Sequence, residues 1–211
     1  MSGSNLELWK ATYDAETQDQ LNEAYKLWCT DYDRDCVQGM GYVGPMTACR
    51  MLDTYLESPE SRVLDAGCGT GLVGQVLSKH GYGRVDAMDI SKDMLQVAKE
   101  KDVYNKFFQA DMSEPLEVLN DDTYDASICV GTFTYKHVGP EAFNELIRVT
   151  KPGGYVCFTI RDGAYQEYGY RKRMHELEAD NQWELLEMAK QDYLIKEGVT
   201  AKFCVYRVGN C

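Results

Sequence analysis

The chain has 211 residues, 44% of them hydrophobic and 27% charged, which is ordinary for a globular protein and enough for one domain with a full core. Its 34 acidic residues outnumber 22 basic ones, and the net charge of −12 argues against nucleic acid or any other polyanion as a partner. No apolar run reaches the length of a membrane span, MSGSNLELWK lacks the basic flank and apolar core of a signal peptide, and none of the eight cysteines forms a C-x-x-C pair; the expectation is a cytoplasmic protein with no membrane partner and no metal site.

Residues 5–30 read as helical, since Leu6, Trp9, Leu21, Tyr25 and Trp28 recur at helical spacing with a break around Ala11 to Thr17. Tyr25 and Tyr32 stand seven apart and can share one helix face, either as core packing or as a cover over a ligand site. Gly39 to Pro45, with Tyr42 inside it, reads as a turn, and Pro45 is placed to start a helix to about Leu56. Ser58 to Ser61 ends that helix. The chain therefore divides into a helical cap segment, 1–58, and a core, 59–211, within one compact domain.

The core opens with Arg62 to Gly74, RVLDAGCGTGLVG. A β-prone run leads into glycines at 67, 69 and 71 and then a helical pattern from Leu72, the arrangement of an anion- or nucleotide-binding turn. Gly69-x-Gly71-x-x-Gly74 also matches the dinucleotide fingerprint, with Asp89 near the place of a ribose-binding acid. Strand 84–90 ends at Asp89, and Ser91 caps a helix carrying Met94, Leu95 and Ala98. Ile90 and Met94 are placed to pack on a ribose and an adenine. Strand 106–110 precedes Asp111, which either accepts an adenine amino group or caps the following turn, and Met112, placed against the ring. YDASICV at 124–130 reads as a buried strand ending at Val130. Pro140 opens another helix, and Lys151 to Gly154 turns sharply into strand 155–160. Five β/α units in succession predict a parallel, doubly wound sheet with helices on both faces.

Residues 164–181 look helical, 183–195 are ambiguous between strand and helix, and TAKFCVYRV at 200–208 alternates as a strand. Two late strands with no helix between them would form a hairpin. After the fourth strand, Val130 to Val138 should form the reactive centre; His137 is the candidate general base with Tyr135 beside it. Thr132, Phe133 and Arg161 are candidate substrate contacts on the same rim. The other reading of His137 is a histidine that only packs or hydrogen-bonds its loop.

Asp65-x-Gly67-x-Gly69-x-Gly71 resembles the first motif of class I S-adenosylmethionine (SAM) methyltransferases. Within that superfamily the chain is similar to the Williams–Beuren syndrome region methyltransferase-like proteins. The matching stretches are Tyr25 to Asp33, Tyr42 to Pro45, DAGCGTGLV, VTKPGGYVCFTIR at 149–161, and Tyr168 through W-E-L-L at 183–186. The resemblance implies a three-layer, seven-stranded, mostly parallel sheet with an antiparallel seventh strand beside the fifth, an insertion that a dinucleotide-binding domain lacks. It implies SAM as cofactor, with S-adenosylhomocysteine (SAH) as product, and a Y-x6-YD lid at Tyr25 and Tyr32. The cofactor residues are then Tyr25, Tyr32, Tyr42, Asp65, Gly67, Cys68, Gly69, Gly71, Asp89, Ile90, Met94, Asp111, Met112 and Val130, with Asp65 facing the ammonium directly or through water. The acidic balance, the cover and the absence of N/D/S-P-P-Y/F after the fourth strand favour a small-molecule acceptor at nitrogen. An oxygen acceptor, or a SAM-binding partner protein without catalysis, are the alternatives.

Overall fold

The computed structural model describes residues 11–209 apart from 13, 16, 136 and 137. The apolar runs around residues 64, 87, 128 and 157 form the middle of one sheet. Strand β1 (Val63–Ala66) is buried at every position and pairs in parallel with β2 (Val85–Asp89) on one side and β4 (Tyr124–Phe133) on the other. β3 (Lys106–Gln109) pairs in parallel with β2, and β5 (Thr150–Arg161) with β4. β7 (Val199–Val208) lies antiparallel between β5 and β6 (Trp183–Leu194), so the order is β3-β2-β1-β4-β5-β7-β6. This is the predicted seven-stranded class, and the antiparallel insertion beside the fifth strand is present.

Alternation along each strand sends side chains to opposite faces, and helices cover both. On one face Val63, Ile128, Cys157 and Phe203 meet α2 (Gly44–Asp53) and α3 (Leu72–Lys79) through Ala48, Leu52, Val73 and Leu77. Ala87 meets Leu95 and Ala98 of α4 (Lys92–Lys99), which Ser91 caps by accepting the Met94 N–H at 3.3 Å. On the other face Leu64, Cys129, Phe158 and Tyr206 meet α5 (Ala142–Val149) and, after the short α6 (Ala164–Glu167), α7 (Tyr170–Ala179). Phe158 sits inside an aromatic stack, with ring centroids 4.9 Å from Phe143 and 5.8 Å from both Trp183 and Tyr206.

The structure corrects the predicted elements in four places. The third crossover, from Asp111 to Asp122, contains turns rather than a helix; its Met112, Leu116 and Leu119 are buried against the core without helical periodicity. Gly39 and Met40 do not turn but close a π-helix, Arg34–Met40, which Gly41 ends at φ 70°. The following helix stops at Asp53. The turn at 151–154 lies within β5 as an irregularity: Tyr124 faces Thr150, yet Ala126 faces Tyr155. The ambiguous segment 183–194 is a strand because β7 offers it a full antiparallel partner, which local pattern does not reveal. Helix α1, Gln18–Trp28, begins at a reciprocal cap: Thr17 Oγ1 accepts the Gln20 N–H at 3.2 Å, and Gln20 Oε1 accepts the Thr17 N–H at 3.3 Å. Among the described residues no helix is long and apolar enough to cross a membrane.

Phe158→Ala should destabilise the protein by about 3–5 kcal/mol, because it opens a cavity among rings that cannot collapse. Chemical denaturation of both proteins measures the shift in midpoint; a loss below about 1 kcal/mol would remove this stack as the keystone of its face.

Candidate functional site

At the carboxyl end of β1 the backbone turns at Gly67, φ 72°, where an added Cβ would strike Thr132 Oγ1 from the end of β4. Only a glycine permits this approach. The turn is tied to β2: the Gly67 and Cys68 N–H groups donate to Met88 O at 2.8 and 2.9 Å. Asp89 completes the tie, accepting the Gly69 N–H on one oxygen and the Ser91 N–H on the other, each at 2.8 Å. Burial pushes the Asp89 carboxyl up, and these backbone donors oppose the rise.

Between this loop and α1 lies a cleft enclosing ≈ 830 Å³ of empty space, its open mouth included. Ten of the fourteen expected cofactor residues line it: Tyr25 and Tyr32 from the cap, Gly67 and Gly69 from the loop, Asp89, Ile90 and Met94 after β2, Asp111 and Met112 after β3, and Val130 at β4. Thr132, expected on the substrate side, also lines this cleft, and so does Leu21. Asp111 serves both of its readings. Its Oδ1 caps the next turn, accepting from Ser113 N at 2.8 Å and Ser113 Oγ at 2.6 Å, while the residue lies in the cleft wall.

Asp65, Cys68, Gly71 and Tyr42 are not in that wall. Cys68 is buried behind the loop with Ala87, Leu95 and Ala98, because the residue after Gly67 must point away from the cleft that Gly67 faces. Gly71 caps α3 at φ 91° and faces the Tyr104 ring. Asp65 is fully buried beneath the loop: Tyr104 Oη donates to its Oδ2 at 2.5 Å, and the Gly74 N–H donates to Tyr104 Oη at 3.1 Å. Asp65 Oδ1 is buried with no hydrogen-bond partner. Burial raises the carboxyl to about 7; the Tyr104 hydrogen bond pulls it down and the Asp89 charge adds to the rise. Tyr104 belongs to no motif, so sequence reasoning missed it. The group is thus a concealed acid that a nearby cation would ionise.

The cap is fastened to the loop by one residue. Asp33 accepts from Thr70 Oγ1 at 2.5 Å and pairs with Lys101 Nζ at 2.5 Å. Trp28 Nε1 donates to the buried Asp35 at 3.0 Å, and the Trp28 ring meets Tyr32 edge-on at 4.8 Å. These contacts fix Tyr25 and Tyr32 over the cleft.

A second chamber, ≈ 570 Å³ of empty space including its mouth, shares Tyr25, Tyr32 and Gly131 with the first. Its walls include Trp28, Tyr42, Phe133, Thr134, Thr159, Arg161 and Tyr193. Gly131 has φ 89°, and a Cβ there would lie 2.9 Å from Tyr193 Oη and 3.0 Å from Tyr42 Oη. The two hydroxyls, 3.0 Å apart, therefore hang over the junction of the cavities. Burial holds Tyr32 and Tyr42 well above the usual phenol range, so both remain neutral donors. Tyr42 thus belongs to this chamber rather than to the first, because the backbone of residues 41–43 is drawn to β6: Val43 N donates to Tyr193 O at 3.1 Å and Tyr42 bridges Leu194. Tyr193 was missed because the strand that carries it was ambiguous in sequence. Phe133 and Arg161 line the chamber as expected. Tyr135 does not line either cavity; its hydroxyl donates to Asp162 O at 2.8 Å and its ring packs edge-on against Tyr168. His137 lies outside the described residues.

Residues 63–154 match a family described as a methyltransferase domain. The chain is 32% identical over 166 residues to methyltransferase-like protein 27 of Homo sapiens, covering 76% of this chain and 66% of that one. It is 34% identical over 123 residues to malonyl-[acyl-carrier protein] O-methyltransferase of Serratia marcescens, covering 57% of this chain and 46% of that protein. The chain therefore spans between about half and two thirds of the length of these relatives. Its fold matches a TehB-like SAM-dependent methyltransferase from Corynebacterium glutamicum at TM-score 0.66 and 18% identity, over 88% of this chain and 99% of that one.

Asp65 gives a pH dependence with a definite sign. Its carboxyl is raised to about 7 in the folded state, so between its unfolded value of 3.8 and about 7 the native protein binds the extra proton. Stability then falls as pH rises through that window. Asp65→Asn should melt higher than the parent at pH 8, by on the order of 5 °C, and at the same temperature near pH 4. Melting curves across pH check this, and a variant less stable at pH 8 would show that the charged form is the favoured one.

Proposed function

Because the chain belongs to the class I SAM-dependent methyltransferases, we propose that it transfers a methyl group from SAM to an oxygen of a small molecule held in the tyrosine-lined chamber. The observation that carries this reading is the junction at Gly131, where the cleft with the cofactor residues opens into the chamber under Tyr42 and Tyr193.

The cleft fits the cofactor. The backbone at Gly67 leaves room that any Cβ would fill, and Asp65 Oδ1 is an orphaned buried acceptor behind it. A carboxylate offers about four acceptor positions, and Asp89 uses only two of them on the backbone, which leaves it able to take the ribose hydroxyls. Ile90, Met94 and Met112 supply apolar surface for an adenine, and Asp111 an acceptor for its amino group. SAM supplies an electrophilic methyl group on a sulfonium centre. Asp65 and Asp89 place negative charge near that cation, and Tyr25 and Tyr32, held by the Asp33 latch, keep water from it.

The residues of the chamber then act mainly by placement. Aligning two bound partners is worth on the order of 7–11 kcal/mol of the barrier. The sequence favours nitrogen as the acceptor atom; the chamber supports the oxygen alternative. Among the described residues Arg161 is the only charged side chain that lines it, and no carboxylate is there to take a proton from an ammonium. A cationic amine would meet a like charge, whereas an oxygen nucleophile meets neutral tyrosine hydroxyls and a cation. The Serratia relative is named as an O-methyltransferase, which agrees with this reading.

Asp89→Ala should weaken SAM binding about 10- to 100-fold, measured by calorimetry, since charge-assisted hydrogen bonds are lost. Tyr42→Phe should slow turnover about tenfold and leave SAM affinity unchanged. Incubation with labelled SAM and a panel of phenols, carboxylic acids and amines, read by product mass, tests the reaction. Products confined to the amines would replace oxygen by nitrogen, and SAM binding without consumption across the panel would leave a binding protein.

A further inference from the structure

The chamber's polar groups are not spread evenly. Thr159 donates its place beside the junction, where its Oγ1 accepts the Gly131 N–H at 3.0 Å. Arg161 lies two residues further along β5 and also lines the chamber, so it is on the same strand face, about 7 Å beyond Thr159. Thr134 lines the chamber as well. It is 8% exposed, and its buried Oγ1 has no hydrogen-bond partner. Leaving a buried hydroxyl unmatched is costly, and a bound molecule is the natural source of its partner. The remaining walls are flat rings, with Trp28, Tyr32 and Phe133 among them.

Resting on the methyl-transfer reading above, we propose that the acceptor is a flat aromatic acid whose carboxylate is held by Arg161 and Thr134, while its nucleophilic oxygen lies at the Gly131 junction about 7 Å away. A guanidinium matches a carboxylate with two parallel N–H donors, and the Thr134 hydroxyl adds a third. Arg161 is one charge, which balances a monoanion. The carboxylate is therefore an anchor and is not the atom methylated. In the transfer the acceptor oxygen forms the new O–CH3 bond as the S–CH3 bond breaks; the sulfur keeps that electron pair, and the hydroxyl proton leaves to solvent. Arg161 and Thr134 act as specificity residues, remote from the reacting atoms.

The test uses the full chain saturated with SAH and a matched set of probes: 4-hydroxybenzoate, its primary amide and its methyl ester. Binding is read by calorimetry and transfer from SAM by mass. The acid should bind at least tenfold more tightly than the amide or ester. Arg161→Gln should erase that preference by weakening the acid about 10- to 100-fold and the amide by less than threefold, with SAH affinity unchanged. Thr134→Val should weaken the acid by about three- to tenfold. Retained SAH binding shows that each variant is folded. Equal binding of acid and amide, equal weakening of both by Arg161→Gln, or no binding of 4-hydroxybenzoate to the SAH complex would overturn the proposal. A carboxyl methyl ester as the product of the acid would overturn it too, since the anchor would then be the acceptor. Loss of SAM and SAH binding by the parent protein is a separate result and would strike the methyl-transfer reading itself.

Discussion

The carboxylate of Asp89 holds the site together. By accepting the Gly69 and Ser91 N–H groups it joins the loop after β1 to the helix after β2. Each of those donors would otherwise be an unmet backbone group near a helix start. The tie fixes the loop close to β4, which in turn demands glycine at 67 because Thr132 stands against it. Asp65 depends on the same geometry. It is buried because the loop covers it, and it is tolerated there because Tyr104 donates to it. One acid thus faces the cleft and the other supports the loop from below, although in sequence they look alike.

The second constraint is the insertion of β7. It places β6 at the sheet edge, with the carboxyl end of β6 at the same sheet edge as those of β1, β4 and β5. Tyr193 then comes from the last turn of β6 to meet Tyr42 from the cap, across 151 residues of chain. Their paired hydroxyls roof the junction at Gly131 and leave the chamber with a neutral, hydrogen-bonding wall. Arg161, at the end of β5, gives the chamber positive charge within a strongly acidic protein. Global charge and site charge therefore have opposite signs, and only the latter bears on the acceptor.

The cap is coupled to both cavities. Tyr25 and Tyr32 line each of them, so a movement of α1 would open cofactor and acceptor spaces together. The Asp33 contacts with Thr70 and Lys101 bind that movement to the glycine loop itself. Helix α2, although it precedes residue 58, is a different matter: Ala48, Cys49 and Leu52 are buried in the face of the sheet and belong to the scaffold.

What the sequence determined by itself was local. The glycine loop, the acids at the ends of β2 and β3, the Ser91 cap and the alternating apolar strands each follow from neighbouring residues, because backbone conformation and side-chain periodicity are short-range properties. Those features were enough to recognise the fold class and most of the cofactor cleft. The tertiary structure decided which acid faces the ligand, placing Asp89 in the wall and Asp65 beneath it, and it moved Tyr42 from the cofactor to the acceptor chamber. It also made a strand of 183–194, turned Tyr135 away from both cavities, and brought in Tyr104, Thr134 and Tyr193. Each of these depends on a partner distant in sequence: β7 for β6, Asp162 for Tyr135, Asp65 for Tyr104, Tyr193 for Tyr42. Burial and pairing at such distances are set by how the layers pack, and no local pattern in the chain encodes them.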